Sequence, residues 1–130
     1  FNPLPLLRLL LACAPAGGTP NRRQVEAVFH HVWRGDGADA EDPARLAALT
    51  AELAPARDPA GDEVKAELRA RTEAAVAQGL FGVPTVVAGE RHFWGLDALP
   101  MLAACLQGDP WFDGPDWAEA GRPRPGVRRG

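Results

Sequence analysis

Apolar residues recur at helical spacing over residues 1–78, and at strand-like spacing only between 85 and 94. The first helix is predicted from about Leu4 to Ala14. Pro5 suits its first turn, where a missing N–H has no helical partner, and Pro15, Gly17 and Gly18 stop it. The second starts at Thr19 as N-cap with Pro20 following. Val25, Val28, Phe29, Val32 and Trp33 then form one apolar stripe, and Gly35, Asp36 and Gly37 end the helix. The third opens on Asp42 and Pro43, buries Leu46, Leu49 and Leu53, and closes at Pro55. The fourth opens near Gly61 or Asp62, turns Val64, Leu68, Ala75 and Val76 inward, and ends with Gly79 at C′. Its Glu63, Lys65, Glu67, Arg69, Arg71 and Glu73 read as a solvated face.

After Gly79 the period changes. Thr85–Ala88 and Arg91–Trp94 are short β-like runs joined by Gly89-Glu90, which predicts a hairpin with a type II′ turn. Leu99, Met101, Leu102, Cys105 and Leu106 supply a last helix opening near Asp97. From about Asp109 the prolines and late arginines read as a loosely packed tail, with Trp111, Phe112 and Trp117 available to dock it. A two-stranded hairpin is not stable alone in water, and no other segment reads as a strand.

Composition narrows the function. The 130 residues carry a formal charge of −3, which gives no reason to expect a nucleic-acid partner or a polybasic membrane patch. The chain contains no Ser, so every Ser-based nucleophile motif is excluded. Arg and Ala dominate, with Lys65 the only lysine, a bias that fits a GC-rich bacterial source. The run from Leu4 to Cys13 has the apolar character of a lipoprotein signal, but it has no basic segment before it and contains Arg8. A buried or amphipathic helix is the better reading. No stretch approaches the ~20 apolar residues that span a bilayer.

Candidate chemistry is sparse. His30 and His31 are adjacent on a helix and point to different faces, and His92 lies in the hairpin, so no metal site is expected. Cys13 and Cys105 form no C-x-x-C, and each sits in an apolar helical stripe as a small hydrophobe. Arg122, Arg124, Arg128 and Arg129 belong to the tail and lack the interleaved aromatics of a nucleic-acid surface. The segment Gly79-Leu80-Phe81-Gly82-Val83-Pro84-Thr85 differs, because its Pro leads directly into a strand. An ordinary trans turn is the default for such a motif. A cis Val83–Pro84 bond would turn the Val83 N–H and C=O outward, where a peptide-like ligand can pair with them.

Phe81 to Leu99, F-G-V-P-T-V-V-x-G-x-x-x-F-W-G-x-D-x-L, resembles the C-terminal motif of 2-hydroxychromene-2-carboxylate isomerases. That family sits with kappa-class glutathione transferases in the thioredoxin-like DsbA superfamily. Leu68 to Gly79 resembles the helix before its cis-Pro loop, and Phe1-Asn2-Pro3-Leu4 resembles the entry to its inserted helical domain. The resemblance implies a thioredoxin-like α/β fold, mostly helical here and incomplete at the N-terminus. It divides the chain into a helical domain (1–78), a β-hairpin and helix (79–112) and a loose tail (113–130). It also implies a cis Val83–Pro84 bond whose loop pairs with the cysteinyl part of glutathione. Asp97, with Leu96 beside it, would cap the last helix, face the Val83 loop and receive the γ-glutamyl ammonium. Relatives often carry a polar residue at the position of Leu96, so one side-chain hydrogen bond is missing from the pattern.

In the family, glutathione thiolate adds reversibly to an unsaturated aromatic-acid substrate, permits rotation and leaves. The Ser that activates the thiol lies in a β-α-β unit expected upstream of Phe1, so no catalytic residue is assigned within this chain. The resemblance thus implies glutathione as cofactor, a small aromatic or hydroxy-acid substrate and a cytoplasmic location. This chain alone should be silent. Its unpaired hairpin edge is expected to favour a homo-oligomer. A kappa-like transferase, a DsbA-like thiol-disulfide oxidoreductase and a non-catalytic helical interaction protein are the alternative readings.

Overall fold

The computed structural model describes residues 1–34 and 39–120. The chain divides into two compact units, Phe1–Gln78 and Gly79–Gly130. The first holds four helices: α1 (Leu4–Ala12), α2 (Arg22–Trp33), α3 (Pro43–Leu53) and α4 (Asp62–Ala77). Asp42 caps α3 by accepting the Arg45 N–H at 2.8 Å, and Gly79 follows α4 at φ +75°, both as the sequence indicates. The cap of α2 is Asn21 rather than Thr19. Its carboxamide accepts the Gln24 N–H at 3.0 Å, while the Gln24 side chain accepts the Asn21 N–H at 2.9 Å. This reciprocal pair satisfies two orphan donors, which a Thr two residues earlier cannot reach. The expected stop at Gly35–Gly37 lies outside the described residues; α2 ends at Trp33, with Arg34 as its C-cap.

Leu6 and Leu9 of α1, Val28 of α2, and Leu49 and Leu53 of α3 form the core of this unit, with Leu46 and Val32 packed at its margin. Leu11, Ala12 and Val64 bury together where α1 meets α4, with Leu68 beside them. Two apolar expectations fail at the edges. Val76 is exposed: the end of α1 and the loop after it meet α4 at Val64, Glu67, Leu68 and Arg71, before its last turn. Phe29 and Trp33 are also exposed. They line an open groove of about 140 Å³ with Phe1, Pro3 and Leu7 instead of entering the core.

Glu67 corrects the reading of α4 as uniformly solvated on its charged side. Its side chain is 14 % exposed and accepts Arg57 Nη1 at 2.7 Å, Arg71 Nη2 at 2.6 Å and the Gly17 N–H at 3.3 Å. Hydrogen bonds from Arg57 and then Arg71 hold its carboxyl below the usual carboxylate range. A carboxyl whose folded pKa is depressed adds stability that is complete above its unfolded value, near ~4.3, and that disappears as pH falls through the folded value. Resistance of the chain to urea is therefore expected to fall as pH drops below about 4.3, and Glu67→Gln to flatten that dependence. Identical pH profiles for the two proteins would contradict this.

The second unit opens with a hairpin of β1 (Thr85–Ala88) and β2 (Arg91–Trp94), antiparallel with Ala88 opposite Arg91. Gly89 takes φ +62° while Glu90 keeps a negative φ, as a type II′ turn requires. A 3-10 turn (Leu96–Ala98) leads into α5 (Leu99–Leu106). Cys105 and Leu102 of α5 are half-buried, while Leu99, Met101 and Leu106 remain exposed.

Residues 110–120, expected to be a loose tail, form a 3-10 turn (Pro110–Asp113) and α6 (Pro115–Ala120), and the rest of that expectation lies outside the described residues. Aromatic packing explains the difference. Phe93 and Phe112 are buried, Trp117 stacks on Phe93 at 5.8 Å, and Trp111 meets Phe112 edge-on at 5.1 Å. Arg91 donates to the Phe112 carbonyl at 3.1 Å and to Asp113 at 2.6 Å, fastening this segment to β2. The late arginines lie outside the described residues. No helix among the described residues is long and apolar enough to cross a membrane.

Candidate functional site

The candidate site grows from the stretch between Gly79 and Thr85. Thr85 Oγ1 donates to the Gly82 carbonyl at 2.6 Å, which folds the chain back at the start of β1. The Val83–Pro84 bond is cis, as the family resemblance implies. Val83 is 91 % exposed, and neither its N–H nor its C=O has a hydrogen-bond partner among the described residues. The Pro84 carbonyl accepts the Gly95 N–H at 2.9 Å, so the loop is tied to the residue just after β2.

Gly95 holds the other half of the arrangement. At φ +88° and ψ 163° it occupies a region that side chains strongly disfavour. A Cβ placed there would collide with Asp97 Oδ1, so the carboxylate rests directly against the Gly95 backbone. Asp97 is exposed and its carboxylate has no hydrogen bond among the described residues. Leu96 is exposed as well.

One expectation is corrected here. Asp97 does not cap the last helix: it lies within the 3-10 turn, and the α5 N-cap is Ala98, which offers no side-chain acceptor. Gly95, at positive φ, is the N-cap of that turn, which begins at Leu96, one residue before Asp97, and the Asp97 carboxylate makes no capping bond.

Two features of the site escaped the sequence reading. Phe81 and Trp94 form a tilted aromatic pair with ring centroids 5.2 Å apart, both exposed, flanking the loop. Gly82 lies under Trp94, and a Cβ there would stand 2.5 Å from Trp94 Nε1. The signal was the spacing of Gly82 and Gly95 around a strand pair that sets Thr85 opposite Trp94. Gly82→Ala is therefore expected to displace the Trp94 ring while leaving the fold intact. A blue or red shift in indole emission with unchanged far-ultraviolet dichroism would report it, and unchanged emission would contradict it.

Neither thiol belongs to this loop. Cys13 Sγ donates to the Leu9 carbonyl at 3.2 Å in the helical unit, and burial pushes its pKa up. Cys105 sits on α5, where Arg91 Nη1 approaches its sulfur at 3.8 Å. Both are free cysteines.

Residues 4–107 match the model of the DSBA-like thioredoxin domain. The chain belongs to the DsbA-like thioredoxin family. Its fold is accordingly thioredoxin-like, represented among the described residues by four helices, the hairpin and the helix that follows it. Within the family it is similar to a 2-hydroxychromene-2-carboxylate isomerase of Pseudomonas sp. (strain C18), 37 % identical over 92 residues. The match takes in 66 % of this chain and 42 % of that relative, so the chain spans less than half of the isomerase's length. No solved structure matches the chain.

Proposed function

We propose that the Gly79–Gly130 unit carries a glutathione site, and that the chain serves a glutathione-dependent isomerase of the 2-hydroxychromene-2-carboxylate type. The observation that carries this reading is the exposed, unpaired peptide of Val83 and the unbonded carboxylate of Asp97, linked by the Gly95 N–H on the Pro84 carbonyl and by Asp97 Oδ1 against the Gly95 backbone. The N–H and C=O of Val83 would pair with the peptide backbone of the ligand as a strand edge does. Asp97 would take the ammonium of the γ-glutamyl group, a charge-assisted bond of the stronger kind. Pro84 shapes the loop, and exposed Leu96 offers apolar cover to the ligand stem. The residues present therefore fit the tripeptide.

Bound glutathione supplies a thiol nucleophile. The 130 residues themselves bind and orient it, and they contain no Ser to lower the thiol pKa. Burial raises rather than lowers the pKa of Cys13. The chain alone is therefore proposed to bind glutathione without turning over.

Calorimetric titration tests the reading. Glutathione should bind the chain with one-to-one stoichiometry, and cysteinylglycine, which lacks the γ-glutamyl group, should bind roughly tenfold more weakly. Asp97→Asn should bring glutathione to the same weaker level. Equal affinity of wild type and Asp97→Asn would remove Asp97 from the site.

A further inference from the structure

Arg8 stands apart from every other described cation of the helical unit. It lies mid-helix on α1, its Nε is buried, and that nitrogen has no hydrogen-bond partner. Among the described residues no carboxylate pairs with its guanidinium. The contrast with Arg57 and Arg71 is direct, since both are bonded to Glu67 and to backbone carbonyls.

Arg8 also lines a cavity of about 220 Å³ between α1, α3 and the loop before α4. The walls are otherwise mostly apolar: Leu9 from α1, Leu46 from α3 and Pro59 from the loop. Thr50 reaches the cavity too, but its hydroxyl hydrogen is committed to the Leu46 carbonyl at 2.8 Å. The nearest acid in sequence on that loop, Asp58, turns its carboxylate onto the Ala60 N–H at 2.8 Å.

We propose that this cavity is a second ligand site, distinct from the Val83 loop, which binds a compact apolar carboxylate with Arg8 as its anion anchor. An arginine keeps its charge at any physiological pH, and its planar fork suits a carboxylate. Arg8 is half-buried: its Nε is shielded and unbonded, while the side chain lines the groove, where a carboxylate can meet the guanidinium. The size fits as well. The space is an open groove of about 220 Å³, room enough for a ring bearing a carboxylate.

Sodium benzoate is the probe, with benzamide as the neutral analogue of the same shape and inorganic phosphate as the anion without an apolar body. Calorimetry on the full chain should give one benzoate site, with benzamide and phosphate each at least about tenfold weaker. Arg8→Met should lower benzoate affinity by about tenfold or more. Ala60→Phe, which blocks the cavity from an exposed loop position and leaves Arg8 in place, should do the same, so the outcome does not hang on one variant's folding. Far-ultraviolet dichroism checks that both variants fold. Asp97→Asn should leave benzoate binding unchanged, which separates this site from the glutathione reading. Absence of benzoate binding, equal binding of phosphate, or wild-type affinity in folded Arg8→Met would each overturn the proposal.

Discussion

Replacing Gly95 with Ala is expected to abolish glutathione binding and to destabilise the hairpin unit by about 1–3 kcal/mol. Two independent causes act at one atom. The backbone at φ +88° and ψ 163° is nearly closed to residues with a Cβ. The added methyl would also overlap Asp97 Oδ1, so relief requires moving the very carboxylate proposed to hold the ligand. Relaxing φ instead would pull the Gly95 N–H from the Pro84 carbonyl and release the loop. Gly79→Ala is the control: its φ is +75° but a Cβ there meets nothing within 4 Å. That variant should lose stability from backbone strain and still bind glutathione. Thermal unfolding and calorimetry of both variants decide the matter, and wild-type binding by Gly95→Ala would contradict the geometry proposed for the site.

Arg57→Met is expected to be the most damaging single change to a charged residue of the helical unit. One guanidinium closes the end of α1 by donating Nη2 to the Leu11 carbonyl at 2.7 Å and Nε to the Ala14 carbonyl at 2.9 Å. Its backbone N–H serves the Ala12 carbonyl at 3.1 Å. The same side chain meets Glu67 at 2.7 Å with both partners largely covered. Removing it takes the side-chain donors from the Leu11 and Ala14 carbonyls, and leaves Glu67 with Arg71 and the Gly17 N–H to offset its desolvation. Arg69→Met provides the scale, because its i,i+4 pair with Glu73 is 83 % and 65 % exposed and such pairs contribute little. Guanidinium unfolding should show a clear loss for Arg57→Met and almost none for Arg69→Met. Equal midpoints would remove the network from the account of stability.

Local chemistry made most of the elements legible. Asp42-Pro43 fixed a helix start, Gly79 a helix end, and Gly89-Glu90 a hairpin, because each depends on the conformations its own residues allow. Features that depend on distant partners were less visible. Asn21 outcompeted Thr19 through Gln24, a reciprocity that the stronger Thr-Pro signal masked. Glu67 reads as one more surface acid on α4 until Arg57, ten residues earlier, folds beneath it. Phe29 and Trp33 follow the helical period, but which side of that stripe is covered depends on where α1 and α3 stop.

The site divides the same way. Val83, Pro84 and Asp97 were legible through motif resemblance. The part of Gly95, and the failure of Asp97 to cap α5, required the actual backbone. Arg8 looked like a mere interruption of an apolar run. Only the three-dimensional packing shows its Nε buried without a partner beside a cavity.

The most direct measurement is a nitrogen-15 chemical-shift titration of the 130-residue chain with glutathione. The amides of Val83, Gly95 and Asp97 should shift together along one saturation curve, with the indole N–H of Trp94 following, while the amides around Arg8 stay still. Shifts confined to the helical unit, or no saturable shift at the Val83 amide, would contradict the glutathione site.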